Sequence, residues 1–261
     1  MTRSHFAAKK RLGQHFLVDE NLLGVIGRLA ELGPDDRVLE IGPGLGILTA
    51  YLARHTLHVD TVELDRELES RLRERLGEYA NISLHFGDAL TLDLAGLAPR
   101  ATKLVANLPY NIATPLIVES LDGLPQIELW CVMVQREVAD RLFASPGSKA
   151  YGAVSVLVQL ASEKRGFHPV SREVFRPRPR VESALVAFER RPLPEGFARI
   201  KRLVVAGFAY RRKTLANSLA ISGLVSREEA EAILERIGHD PRLRAEALTP
   251  PEFAALAEVM P

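Results

Sequence analysis

From residue 37 to residue 134 the chain alternates short apolar runs with stretches of helical periodicity. RVLEIG (37–42), HVDTVELD (58–65), NISLHFGD (81–88), KLVANLP (103–109) and IELWCVMV (127–134) read as strands. Between them, GILTAYLARH and RELESRLRERLGEY place apolar side chains at helical spacing with charges on the opposite face. Strands that alternate with helices pair in parallel, because each crossover helix returns the chain to the same end of the sheet, and such a sheet needs cover on both faces. The expected fold class is therefore α/β. SVLVQLAS (155–162) fits a strand or a buried helix, and SALVAFER (183–190) reads as a last strand.

The texture changes at RRPLPEG (190–196), a linker by its prolines and glycine. Beyond it only helical periodicity remains. SREEAEAILERIG opens with a capping box, Ser226 with Glu229, and stops at Gly238; TPPEFAALAEVM repeats the device with Thr249 and Glu252. Two domains are expected, an α/β domain over residues 1–190 and a small all-helical domain over 191–261.

The single cysteine, Cys131, excludes a disulfide framework and, inside LWCVMV, reads as a small core hydrophobe. No apolar run is long enough to cross a bilayer, and the basic N-terminus MTRSHFAAKKRLGQHF lacks the apolar core of a signal peptide, so a cytoplasmic protein without membrane contact is expected. The net charge of +1 hides a segregation: residues 164–213 hold 14 Lys and Arg against 4 Asp and Glu. Lys9, Lys10 and Arg11 form a second basic cluster. Such runs are commonly solvated faces, but an imbalance of this size makes nucleic acid a candidate partner.

Chemistry concentrates at the ends of the expected strands. In VLEIGPGLGILT (38–49) a strand leads through Gly42, Gly44 and Gly46 into a helix, a turn that lets backbone approach a ligand. Nicotinamide-binding proteins share it; Glu40 and Pro43 depart from their pattern and favour S-adenosyl-L-methionine. Glu63 ends the next strand, where it either accepts two ribose hydroxyls or is merely solvated. Asp88 ends the third, as an acceptor for an adenine amine or as a turn residue. These ends line one crevice at the carboxyl edge of the sheet.

The fourth strand ends in Asn107, Leu108, Pro109 and Tyr110. An exocyclic adenine amine is a weak nucleophile because its lone pair is delocalised into the ring. Two acceptors, the Asn107 side-chain oxygen and a backbone carbonyl near Leu108, can hold its hydrogens and turn the lone pair toward a methyl donor. Pro109 stiffens the backbone and Tyr110 offers a stacking face. A plainer role is also open to them: Asn and Pro as an ordinary turn, with Tyr110 as a lid on the core.

RLGQHFL (11–17), EIGPGLGILT, VELD, GDAL, ANLPYNIATPLI, MVQREVADRLFASPGSKAYGAVSVLVQ, VFRPRPRVESALV and RRKTLANSL occur in this order, and the sequence resembles the small-subunit ribosomal RNA adenine dimethyltransferases of the KsgA type. The resemblance implies a Rossmann-like class I methyltransferase sheet followed by a helical RNA-binding domain. It implies N6,N6-dimethylation of two adjacent adenines in a hairpin near the 3′ end of 16S ribosomal RNA, with a role in assembly of the small subunit. S-adenosyl-L-methionine is the implied cofactor and S-adenosyl-L-homocysteine the product. The implied partner is 16S ribosomal RNA within the immature subunit, met by a monomeric enzyme that needs no metal. Cofactor contacts would fall on His15 (asparagine in many members), Leu17, Gly42, Gly44, Glu63, Asp88 and Asn107. Tyr110 and Phe175 would hold the base. Phe175 opens FRPRPRVESA (175–184), a proline-stiffened loop with three arginines. Arg211, Arg212 and Lys213, expected at the start of a helix, would face RNA. A nicotinamide-dependent oxidoreductase would leave NLPY and the basic segment without a role. Two rival functions share more of the pattern: a non-catalytic RNA-binding assembly factor, and a methylase of DNA or large-subunit RNA.

Overall fold

The computed structural model describes residues 13–260, so Lys9, Lys10 and Arg11 lie outside the described residues. Along the chain, β1 (Phe16–Leu17) and α1 (Asn21–Leu29) precede the alternation expected from the sequence: β2 (Arg37–Ile41), α2 (Ile47–His55), β3 (His58–Glu63), α3 (Glu69–Leu76), β4 (Ile82–Phe86), α4 (Leu94–Leu97), β5 (Lys103–Asn107), α5 (Ala113–Gly123), β6 (Leu129–Gln135) and α6 (Arg136–Leu142). Then come α7 (Ala153–Ala161), β7 (Ser162–Val170), β8 (Phe175–Arg176) and β9 (Ser183–Arg190). The C-terminal helices are α8 (Phe197–Phe208), α9 (Leu215–Ile221), α10 (Arg227–Arg236) and α11 (Pro250–Val259).

Seven strands form one sheet in the order β4-β3-β2-β5-β6-β9-β7. β2 to β6 pair in parallel, and β9 runs antiparallel to β6 along its whole length, from Leu129 opposite Glu189 to Gln135 opposite Ser183. β6 is buried from Leu129 to Val134, as a central strand covered on both faces must be. The strand order reverses between β2 and β5, and the crevice of an open α/β sheet lies at such a switch point, outside the carboxyl ends of its strands.

The chain divides into two compact units. One takes residues up to Ala139 together with Lys164–Arg190; the other takes Asp140–Glu163 and the residues from Arg191 onward. The linker expected near residue 190 coincides with one boundary, but a single cut there does not describe the molecule, because α7 belongs to the helical unit. SVLVQLAS is thus a helix. Val154 to Val158 are buried on every side, which erases the polar stripe that would reveal helical periodicity. Within the helical unit α7, α8, α9 and α11 surround Leu203, Leu219, Phe253 and Leu256, and the Tyr151 hydroxyl donates to the Leu248 carbonyl at 2.8 Å. Both expected capping boxes are present, at α10 and α11.

Candidate active site

The crevice is built where β2, β3, β4 and β5 end side by side. Register places Ile41 beside Val62, Glu63 beside Phe86, and Asn107 beside Met133. After Ile41 the backbone turns through Gly42 and Gly44, at φ +76° and +57°, a region that L side chains rarely enter. Space demands glycine as well. A Cβ on Gly44 would lie 2.8 Å from the Phe16 ring, and one on Gly42 would lie 3.2 Å from the Pro109 ring. The glycine turn and the Asn-Leu-Pro-Tyr strand end therefore touch.

Glu63 is buried rather than solvated. Its carboxylate accepts the Gly44 N–H at 3.1 Å through one oxygen and the Asp65 N–H at 2.8 Å through the other. Burial pushes its pKa up, partly offset by these N–H groups. A carboxylate offers about four lone-pair sites, so Glu63 keeps acceptor capacity toward the crevice that it lines. Asp88 is exposed at the rim and accepts the Leu90 N–H at 3.0 Å through Oδ1. It serves as a turn residue and also lines the crevice, with Oδ2 open to a ligand.

Glu40, which the sequence offered only as a departure from the dinucleotide pattern, lines the same crevice and is almost wholly buried. Burial pushes its pKa up to about 7, countered in part by the Thr61 hydroxyl. Thr61 donates to it at 3.0 Å. The signal was available, since a carboxylate inside a parallel-sheet strand has to be buried.

At the end of β5 the Asn107 amide nitrogen donates to the His15 carbonyl at 3.1 Å. A carbonyl only accepts, so this bond fixes which end of the amide is NH2 and leaves Oδ1 as the end available to a ligand. Leu108 is buried and its N–H is taken by the Met133 carbonyl at 3.1 Å, while among the described residues nothing donates to the Leu108 carbonyl. The Tyr110 hydroxyl is bonded to Ser183 Oγ at 2.6 Å, and burial raises its pKa. That bond orients the ring, and the His15 ring lies 5.3 Å away, centroid to centroid.

His15, Leu17, Gly42, Gly44, Glu63, Asp88, Asn107, Leu108, Pro109 and Tyr110 all line this one crevice. Phe175 does not. It is fully buried in the core with Leu17 and Leu185, paired through β8 to Leu17, so its ring offers no face to a base here. Arg211, Arg212 and Lys213 belong to the helical unit. They sit in the exposed turn before α9, whose N-cap is Thr214, rather than in the helix itself. Among the described residues no group of three or more His, Cys, Asp or Glu side chains could hold a metal ion, and no helix is long and apolar enough to cross a membrane.

Fold and crevice together define a class I methyltransferase. Among solved structures, a dimethyladenosine transferase from Plasmodium falciparum superposes with a TM-score of 0.76 at 25% identity, covering 93% of this chain and 96% of that one. The 23S rRNA methyltransferase ErmE gives 0.66 at 30% identity, over 93% and 98% of the two chains. More particularly, the chain belongs to the ribosomal RNA adenine dimethylase family, whose model matches residues 5–260. A ribosomal RNA small subunit methyltransferase A from Rubrobacter xylanophilus is 49% identical over 95% of this chain and 93% of its own. One from Pelotomaculum thermopropionicum is 44% identical over 99% and 93%. The protein is an enzyme, a ribosomal RNA adenine methyltransferase.

Proposed function

We propose that the enzyme takes methyl groups from S-adenosyl-L-methionine and places two on N6 of each of two adjacent adenines in a hairpin near the 3′ end of 16S ribosomal RNA, releasing S-adenosyl-L-homocysteine. It acts as a monomer in the cytoplasm, on RNA within the immature small ribosomal subunit, and so takes part in subunit biogenesis. The observation that carries this reading is the fixed Asn107 amide, whose nitrogen is committed to the His15 carbonyl, beside a Leu108 carbonyl with no donor among the described residues. Two acceptors on one strand end match the two hydrogens of an exocyclic amine.

The crevice suits the cofactor. Glu63 has lone pairs left for both ribose hydroxyls, Asp88 Oδ2 can accept an adenine amine, and the backbone at Gly42 and Gly44 is bare. His15 and Leu17 close one wall. Bound there, S-adenosyl-L-methionine supplies an electrophilic methyl carbon. The protein's part is orientation. Asn107 Oδ1 and the Leu108 carbonyl hold the N6 hydrogens, which localises the nitrogen lone pair and aims it into the crevice. Pro109, packed against Gly42, keeps that carbonyl pair beside the cofactor turn. The Tyr110 ring, braced by Ser183, stacks on the base. After transfer the cationic amine is strongly acidic and sheds its proton to water, so no side chain need act as base; catalysis is proximity and polarisation. Arg211, Arg212 and Lys213 contribute phosphate contacts.

The test is to incubate the purified enzyme and S-adenosyl-L-methionine with small subunits that lack N6,N6-dimethyladenine, and to map the modification by mass spectrometry. Dimethylation of two adjacent adenines near the 3′ end is expected. Modification confined to large-subunit RNA or DNA, or none at all, would refute the proposal.

A further inference from the structure

His15 does more than line the crevice. It lies in a strap, residues 13–17, from which Phe16 and Gln14 reach toward the glycine turn and the Glu63 network. The Phe16 ring occupies the space above Gly44, and Gln14 Nε2 donates to Asp65 Oδ2 at 3.0 Å, next to the Asp65 N–H that Glu63 receives. His15 lines the crevice and also reaches the arginine loop. Its Nδ1 is 2.8 Å from the carbonyl of Pro177 in the FRPRPR loop, and since that carbonyl can only accept, Nδ1 carries the hydrogen. Its own carbonyl receives the Asn107 amide at 3.1 Å, and its ring flanks Tyr110. Alongside, β1 pairs with β8, Phe16 opposite Arg176 and Leu17 opposite Phe175, and Val18 N–H donates to the Val174 carbonyl at 2.9 Å. One short segment thus touches the glycine turn, the network of the diol-binding carboxylate, the amine-orienting amide and the arginine-bearing loop.

We infer that His15 is a positioning residue that ties the arginine loop to the cofactor strap, so that filling the cofactor crevice orders loop 172–180 and the Asn107 amide for the incoming RNA. The inference rests on the reading of the crevice as the S-adenosyl-L-methionine site. A ligand that pins Phe16 and Gln14 from below restrains the strap. The His15–Pro177 bond then passes that restraint to the loop, alongside the two-residue β1–β8 pair and its Val18–Val174 extension. By reciprocity, RNA on the loop tightens the cofactor site by the same factor.

The test uses two substitutions. His15→Ala removes the donor, whereas His15→Asn places an amide nitrogen at the position of Nδ1, two bonds beyond Cβ, and restores it. Hydrogen exchange is measured on the peptide covering residues 172–182 with and without S-adenosyl-L-homocysteine, at concentrations that calorimetry shows to be saturating. The parent and His15→Asn proteins are expected to slow at least about fivefold on adding the ligand, and His15→Ala to be unchanged. Equal slowing in His15→Ala, no slowing in the parent, or an asparagine variant that behaves like alanine would each overturn the inference. So would a His15→Ala protein that cannot be saturated at all, since His15 would then belong to the cofactor contacts themselves. A parent that does not bind S-adenosyl-L-homocysteine would instead refute the cofactor reading. A second arm follows turnover: His15→Ala should raise the KM for RNA and lower kcat, both recovered by asparagine, and a loss that asparagine does not recover counts against the role. The exchange arm contains no RNA, so its outcome stands even if the substrate assignment fails.

Discussion

Replacing Asn107 with alanine tests the chemistry most directly. The side chain is held from Nδ2 to the His15 carbonyl at 3.1 Å, which leaves Oδ1 as the end that the proposed mechanism assigns to the substrate amine. Removing a polarising contact from a desolvated site costs roughly 100-fold or more in rate, about 3 kcal/mol of transition-state stabilisation. RNA affinity should barely change, because phosphate contacts on basic surfaces supply most of it and one amide supplies little. The lost bond to the strap could also loosen the cofactor, so the assay is a single-turnover measurement at saturating S-adenosyl-L-methionine, with RNA binding followed separately. Asn107→Asp sharpens the result. Aspartate keeps acceptors for the amine but has no N–H for the His15 carbonyl, and two oxygens facing each other repel, so this variant should also be slow. An alanine variant methylating within a few-fold of the parent would reduce Asn-Leu-Pro-Tyr to a structural turn and refute the reasoning.

Four further outcomes follow from the same geometry. Tyr110→Phe should keep most of the turnover, because the ring face rather than the hydroxyl meets the base, whereas Tyr110→Ala should be slow; a Phe variant as slow as Ala would show that the Ser183 bond is indispensable. Glu63→Ala should weaken S-adenosyl-L-methionine by a few kcal/mol at most, since about two hydrogen bonds to a charged acceptor are lost; unchanged affinity in calorimetry, or preferred binding of NAD, contradicts the assignment. Glu40 has a folded pKa of about 7 against 4.5 unfolded, so its contribution to stability is full below pH 4.5 and falls away as pH rises through 7. Relative to Glu40→Gln, the parent should lose about 3 kcal/mol across that window in urea titrations, and parallel pH profiles would deny the shift. Neutralising Arg211, Arg212 and Lys213 should flatten the salt dependence of RNA binding, as fewer counterions are released, and an unaltered slope would place them off the RNA.

The α/β alternation was legible because buried parallel strands are continuous apolar runs and their crossover helices are amphipathic, so the two periodicities contrast sharply. β7 escaped for the converse reason. As the last strand of the sheet it is paired on one side only, and SEKRGFHPV carries consecutive exposed Glu163, Lys164 and Arg165 where a central strand would carry valines. In the sequence these residues register only as charge. The domain boundary was half legible for a related reason: proline and glycine mark where the chain leaves the sheet near residue 190, but nothing in composition distinguishes a helix that covers the sheet from one, α7, that joins the other unit.

At the site, what could be read was whatever lies at the end of a strand. Glu63, Asp88 and Asn107 follow apolar runs, and a polar residue there has to face the crevice, whatever the rest of the fold does. His15 and Leu17, far along the chain, were placed at the crevice by the family resemblance alone, and local patterning could not give the bonds they make there. The strap bonds to Asn107 across 92 residues and to Pro177 across 162, and no local pattern encodes such a meeting. Phe175 shows the same limit from the other side. The family resemblance put the Phe175 ring next to the base, but pairing of β1 with β8 turns that ring into the core against Leu17. Of that loop, Arg176, Arg178 and Arg180 stay exposed, while Phe175 anchors it to the core.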